Sequence, residues 1–157
     1  MIREAKEEDF KAVFDMYFDG NINKFLYYNP GDKKKFRNKW EKMLQRRHSY
    51  TYVENGEVIG FISCIRKVGQ EKHVAHLSPI MVRTSHVGNG IGKELMDFIL
   101  KKIKEDGYKR VDLTVNADNQ KAIALFRKFG FSEEGTLKKN TRKNGKFYND
   151  KLMAKFF

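Results

Sequence analysis

His86-Val87-Gly88-Asn89-Gly90-Ile91-Gly92-Lys93-Glu94-Leu95-Met96 follows the apolar run Leu77 to Val82 and leads straight into an amphipathic pattern. Glycine allows positive φ and lets a ligand approach the main chain with no Cβ in the way. The first turn of a helix leaves its N–H groups unpaired and carries partial positive charge. Successive amides at such a turn can wrap a pyrophosphate. Dinucleotide folds, nucleotide loops and ordinary tight turns all share this glycine spacing. A P-loop is disfavoured because Glu94 follows Gly92-Lys93, where that motif needs Ser or Thr. A Rossmann fingerprint opens the first β-turn-α unit and wants an acidic residue about 20 positions on. Here the turn lies mid-chain, after a hairpin.

On the N-terminal side, Asn55-Gly56 between Tyr50 to Val53 and Val58 to Cys64 is a strong two-strand turn signal. His76 to Val82 reads as the next strand, with Pro79 interrupting its pairing. Upstream, a strand at Met1 to Ala5 precedes a helix from about Asp9, whose Phe10, Val13, Phe14 and Tyr17 share a face and which Gly20 can end. A second helix is expected from Asp32, with Phe36, Trp40, Met43 and Leu44 on one side. On the C-terminal side, Ile91, Leu95, Phe98, Ile99 and Ile103 form a helix stripe that Gly107 can stop. Val111, Leu113 and Val115 alternate as a strand. Ala122, Leu125, Phe126 and Phe129 give a shorter helix ending at Gly130, and a final strand lies near Tyr148 to Phe156. Strand, loop, helix and strand from 77 to 115 imply a parallel crossover beside antiparallel hairpins, hence an α/β chain with a mixed sheet.

The 157 residues fit one domain, 1–157, with one core. No apolar run approaches the roughly 20 residues of a membrane span, and the charged start resembles neither a signal nor a transit peptide. A soluble, cytoplasmic protein is expected. Cys64 is the only cysteine, which excludes an intrachain disulfide and a cysteine metal cage; on an apolar strand it reads as an inert core thiol. No metal site is expected. The net charge of +12 favours an anionic ligand, an acidic partner or nucleic acid, or is simply a solvated basic surface. Its clusters, Lys33-Lys34-Lys35, Arg46-Arg47, Lys101-Lys102 and Lys138 to Lys146, lack the composition of a nucleic-acid motif.

Four segments together resemble the GNAT superfamily of acetyl-CoA-dependent N-acetyltransferases. Ile2-Arg3-Glu4-Ala5 with Asp9 is similar to the opening strand and helix, and Glu57-Val58-Ile59-Gly60-Phe61 to the central hairpin. Ile80-Met81-Val82 followed by Val87-Gly88-Asn89-Gly90-Ile91-Gly92 resembles the cofactor motif. Asn119-Gln120-Lys121-Ala122, leading to Leu125-Phe126-Arg127-Lys128-Phe129-Gly130-Phe131, resembles Asn-x-x-Ala with Leu-Tyr-x-Lys-x-Gly-Phe. The resemblance implies a mostly antiparallel sheet, a splayed parallel pair at the cofactor cleft and flanking helices. Two departures stand out: Val87 replaces a frequent Arg or Gln, and Phe126 replaces a tyrosine that in many members protonates the leaving thiolate.

The resemblance further implies pantetheine paired to the edge Ile80 to Val82 and a pyrophosphate on the amides of Gly88 to Lys93. Asn119 would anchor the pantetheine or thiol region, as well as or instead of capping a helix. Phe126 and Lys128 are counted among the cofactor-binding positions. Acetyl transfer needs a neutral amine, whereas alkylammonium groups titrate at about 10, so a base or water chain must take a proton. His76 is the candidate base, with His73 its rival and a packed strand histidine the alternative. A backbone N–H near Met81 or Val82 can meet the oxyanion. Tyr148, in Gly145-Lys146-Phe147-Tyr148-Asn149-Asp150, is the substitute acid; it resembles the Gly-x-x-Tyr-x-Asp ending of branches that acetylate amino acids, antibiotics or protein N-termini. Packing on the core is its other reading, and thiolate loss can proceed without an acid.

Acceptor specificity is expected in region 20 to 47 and in a loop at 138 to 147. Tyr27, Tyr28, Phe36 and Trp40 either line an acceptor pocket or belong to the core. The leading reading is an N-acetyltransferase acting on an amine of a small molecule or protein. The alternatives are a non-catalytic acyl-CoA or nucleotide-phosphate binding module and a basic RNA- or ribosome-associated protein, which would show steep salt dependence. Homodimers are common in similar proteins.

Overall fold

At the expected turn, Asn55 and Gly56 both take positive φ (49° and 80°), folding β2 (Ser49–Glu54) back on β3 (Glu57–Arg66) as the right-handed strand twist favours. The computed structural model describes residues 1–25, 33–45 and 48–157, the side chain of Asn23 excepted. β4 (Val74–Val82) continues antiparallel to β3. Its register shifts between the Ile62–Ile80 and Cys64–Leu77 pairs. Pro79, which has no N–H to give a ladder, lies inside that interruption, as its position predicts.

α4 (Ile91–Glu105) carries the chain across to β5 (Arg110–Asn116), which lies parallel to β4. β5 is bordered by β7 (Lys146–Phe156), and β6 (Ser132–Lys143) forms the edge. With β1 (Ile2–Glu4) at the other edge, the described strands make one sheet in the order β1-β2-β3-β4-β5-β7-β6. Every pairing in it is antiparallel except β4 with β5. This is the mixed, mostly antiparallel sheet implied above.

Each face of the sheet has its own apolar layer. α4 and α5 (Gln120–Lys128) bring Leu95, Met96, Ile99 and Phe126 against Ile62, Leu77, Leu113 and Met153. α1 (Phe10–Phe18) and α3 (Lys33–Gln45) bring Tyr17, Phe36 and Trp40 against Phe61 and Met81 on the opposite face. The approach of α4 is close: a Cβ at Gly60 would stand 3.0 Å from Leu95 Cδ1 and 3.1 Å from Ile91 Cγ2. Gly60 thus seats the N-terminal turn of α4 directly on β3, which fixes where the glycine turn before it must lie.

Several expectations need correction or limitation. Gly20 does not end α1, which stops at Phe18; it opens α2 (Gly20–Asn23), whose N-cap Asp19 accepts a hydrogen bond from Asn21 N–H at 2.8 Å. The stretch 138 to 147 is not a loop but the facing ends of β6 and β7 and the turn between them. Asp32, Tyr27, Tyr28 and Arg46-Arg47 lie outside the described residues. Phe36 and Trp40 are core, at 1% and 0% exposure, and not pocket lining. Among the described residues no helix is long and apolar enough to cross a membrane.

Candidate active site

The parallel pairing of β4 and β5 lasts three residues, ending at His76 opposite Asp112. Beyond that rung the strands part. A cleft of about 270 Å³ opens between Leu77 to Ile80 of β4 and Leu113 to Asn116 of β5. Its walls are completed by Met96 of α4, by Asn119, Ala122 and Phe126 at α5, by Thr141 and Asp150 of the C-terminal hairpin, and by Phe25. Among the described residues, no strand pairs with the facing edges of β4 and β5 beyond that rung. Such an edge can pair with an extended ligand as with an added strand.

β4 then runs into the glycine turn. Gly88 and Gly90 have φ of 95° and 82°, a region other residues enter only with strain. The amides of Val87 and Asn89 are consumed within the turn, donating to Thr84 O and His86 O, both at 3.4 Å. Gly90 is the N-cap of α4, and the first intrahelical bond is from Glu94 N–H to Gly90 O at 3.0 Å. Ile91, Gly92 and Lys93 therefore present the unpaired N–H groups of a helix start. The sequence reading extended the cradle back to Gly88; the geometry concentrates its free amides at Ile91 to Lys93. The side chains add little there. Val87 is exposed, Ile91 is buried in the core, and Lys93 is paired with Asp97 at 2.6 Å. Backbone dipoles and open space at Gly88 and Gly90, where a Cβ would meet nothing within 4 Å, fit a phosphate.

The other positions expected to meet the cofactor divide. The side chain of Met81 is buried in the α1–α3 layer, while Ile80 and Val82 turn to the α4 layer. Asn119 lines the cleft and also caps α5, its Oδ1 accepting from Ala122 N–H at 3.2 Å. Both readings of Asn119 are thus compatible. Phe126 lines the cleft with its ring 6.0 Å from that of Phe131, a wall with no proton to give. Lys128 is exposed on α5 and is not in the lining.

His76 and Tyr148 are likewise not in the lining. His76 sits one residue before it, its side chain 25% exposed, with Nδ1 donating to Asp112 Oδ1 at 2.6 Å. A carboxylate can only accept, so the hydrogen is on Nδ1 and Nε2 is the basic nitrogen of the neutral ring. Arg110 steadies the pair, Nε donating to Asp112 Oδ2 at 3.3 Å and Nη1 to Glu134 Oε2 at 2.9 Å. That contact holds the Glu134 carboxyl below its usual range. Tyr148 lies opposite Thr141 on the hairpin, with the Lys146 ammonium 5.2 Å from its ring centroid. Cys64 is buried, which pushes its thiol up to about 12 and makes it inert, as expected of a core cysteine.

Sequence reasoning missed three polar residues here. Asp112 stands alone among apolar neighbours in Val111-Asp112-Leu113, a signal that the other face of the strand carries chemistry. Asp150 closes the hairpin motif around Tyr148 but received no role, and Thr141 sat in a supposed loop. Among the described residues no group of three or more His, Cys, Asp or Glu side chains could hold a metal.

A parted strand edge that ends in a helix start suited to a phosphate has the shape a coenzyme-dependent transferase needs. The chain belongs to the acetyltransferase (GNAT) family, whose model matches residues 10–131. The coenzyme of this class is acetyl-CoA, and the chemistry is acyl transfer. L-amino acid N-acetyltransferase AaaT of Escherichia coli is 27% identical over 99% of this chain and 96% of its own. An uncharacterized N-acetyltransferase of Methanocaldococcus jannaschii is 28% identical over 87% of this chain, which spans only 62% of that protein. In three dimensions the chain is similar to the ribosomal-protein-alanine N-acetyltransferase of Brucella melitensis, with a TM-score of 0.86 at 27% identity over 100% of this chain and 99% of the other.

Proposed function

We propose that the whole chain, 1–157, works in the cytoplasm as an N-acetyltransferase that moves the acetyl group of acetyl-CoA to a primary amine of a small molecule or a protein. The observation that carries this reading is the parting of β4 and β5 beyond His76 and Asp112, on an edge that continues into the glycine turn. Bound acetyl-CoA supplies an electrophilic thioester carbonyl. The Ile80 to Val82 edge would align the pantetheine, and the amides of Ile91, Gly92 and Lys93 would hold the pyrophosphate. A main-chain N–H near Met81 or Val82 would meet negative charge on the carbonyl oxygen.

His76 would take the proton of the amine. Because it stands one rung outside the lining, the proton reaches Nε2 through water, and Asp112 stabilises the imidazolium that results. Phe126 cannot protonate the departing thiolate. Tyr148 is the hydroxyl we assign to that step, from the rim of the hairpin. Thiol release from acetyl-CoA over a panel of alkylamines, L-amino acids and peptides with free N-termini tests the function. Saturable, amine-dependent release is expected; coenzyme binding without any release would favour a non-catalytic binding module.

A further inference from the structure

Asp150 is 3% exposed and lines the cleft. Asn140 Nδ2 donates to its Oδ2 at 2.8 Å. Among the described residues its Oδ1 accepts no hydrogen bond from a side chain and no cationic side chain pairs with it, although the chain carries 32 Lys and Arg against 20 Asp and Glu. Burying a carboxylate is costly unless a counter-charge and hydrogen bonds replace its water. Thr141, in the same lining, has a buried Oγ1 with no hydrogen-bond partner among the described residues. One cleft thus holds two groups able to accept hydrogen bonds, Asp150 Oδ1 and Thr141 Oγ1, that receive none from a side chain among the described residues.

The sequence builds this arrangement with a bulge. The β6–β7 register shifts between the Leu137–Asp150 and Thr141–Tyr148 pairs. Lys139 takes a φ of 50°, and its N–H donates to Asn149 Oδ1 at 2.9 Å. The bulge therefore swings the Asn140 amide onto Asp150 and leaves Thr141 inside the cleft.

We propose that Asp150, with Thr141, is the subsite that holds the acceptor amine as its ammonium ion before transfer. An alkylammonium has one positive charge and three N–H donors and accepts nothing. It supplies what Asp150 Oδ1 and Thr141 Oγ1 lack. The inference rests on the acetyl-transfer reading for naming this cation as the acceptor. Binding of a cation at Asp150 can nevertheless be measured without any transfer.

Asp150→Asn keeps an oxygen to accept from Asn140 and removes only the charge, so it separates holding a cation from clamping the bulge. NMR-monitored titration with butylammonium chloride, with butanol as the neutral isostere, is carried out on the protein with and without coenzyme A. The wild type is expected to saturate with butylammonium and not with butanol. Asp150→Asn is expected to lose about tenfold or more in butylammonium affinity, the scale of one charge-assisted hydrogen bond, while its amide spectrum stays that of a folded protein. Equal butylammonium binding by both proteins, an equal response to butanol, or no butylammonium binding by the wild type would overturn the proposal. Ammonium binding that depends on Asp150, without thiol release for any amine, would instead overturn the proposed function and leave the cation site standing.

Discussion

His76 Nδ1 and Asp112 Oδ1 meet at 2.6 Å across the last paired rung of β4 and β5, so the point where the sheet opens is clasped by a histidine–carboxylate pair. The pair ties the chemistry proposed for the cleft to the geometry that makes it. Asp112 sets which nitrogen of His76 is basic, and Arg110 bridges Asp112 to Glu134 on β6.

With His76 as the group that takes the amine proton, His76→Ala lowers kcat by about 100-fold, the low end of general-base catalysis, and leaves acetyl-CoA affinity unchanged. Asp112→Asn gives a smaller loss and moves the acidic limb of the pH–rate profile to lower pH, because the imidazolium loses the negative charge beside it. An unaltered pH–rate profile in both variants would remove His76 from proton transfer.

Gly90→Ala and Gly90→Glu share the strain of a side chain at φ 82°, each costing about 1 kcal/mol of stability. The Cβ that both add meets nothing within 4 Å among the described residues. Only the glutamate adds negative charge beside the helix start, so acetyl-CoA affinity falls further in Gly90→Glu than in Gly90→Ala. Equal affinities in a titration of the two variants would place the pyrophosphate elsewhere.

Asn119 carries two roles that a pair of substitutions can separate. Asn119→Ala removes the cap on Ala122 N–H and lowers stability by about 1 kcal/mol, whereas Asn119→Ser restores a capping oxygen. Thermal unfolding recovers in the serine variant. Coenzyme affinity, measured in parallel, stays reduced in both if the amide also contacts the ligand.

Asp9, 3% exposed, is the buried anchor of β1. Burial by itself would raise its pKa, but Arg3, donating to Oδ2 at 2.7 Å and Oδ1 at 2.8 Å, and Lys6 N–H, donating at 2.8 Å, hold it below the ordinary value. A depressed carboxylate stabilises the fold above its unfolded pKa of about 3.9 and stops doing so as pH falls through the folded value. Arg3→Ala is expected to lose about 3 kcal/mol at neutral pH, leaving a buried charge unpaired. Denaturant titrations of the two proteins should converge as pH falls from 5 toward 3.

Much of this was legible because local chemistry and tertiary demand agree. Asn55-Gly56 has the residues its turn requires, Pro79 marks the bulge, Gly107 and Gly130 follow α4 and α5, and the glycine turn precedes the helix whose amides it frees. β6 beyond residue 137 was not legible. It is a charged, mostly exposed edge strand with no alternation of apolar residues, ordered by pairing with β7 and not by its own pattern. The His76–Asp112 contact was equally hidden, since it spans 36 residues and needs the register of two parallel strands joined by a helix, which local pattern does not carry. Gly20 was misread because a glycine with no neighbours near its Cβ can begin a turn of helix as readily as end one.

Isothermal titration with acetyl-CoA, with dephospho-coenzyme A and NAD as controls, bears most directly on the claim that the cleft and glycine turn together form a coenzyme site. Micromolar, saturable binding of acetyl-CoA that weakens in Gly90→Glu is the expected result. No binding of acetyl-CoA by the wild type, or binding that Gly90→Glu leaves untouched, would contradict it.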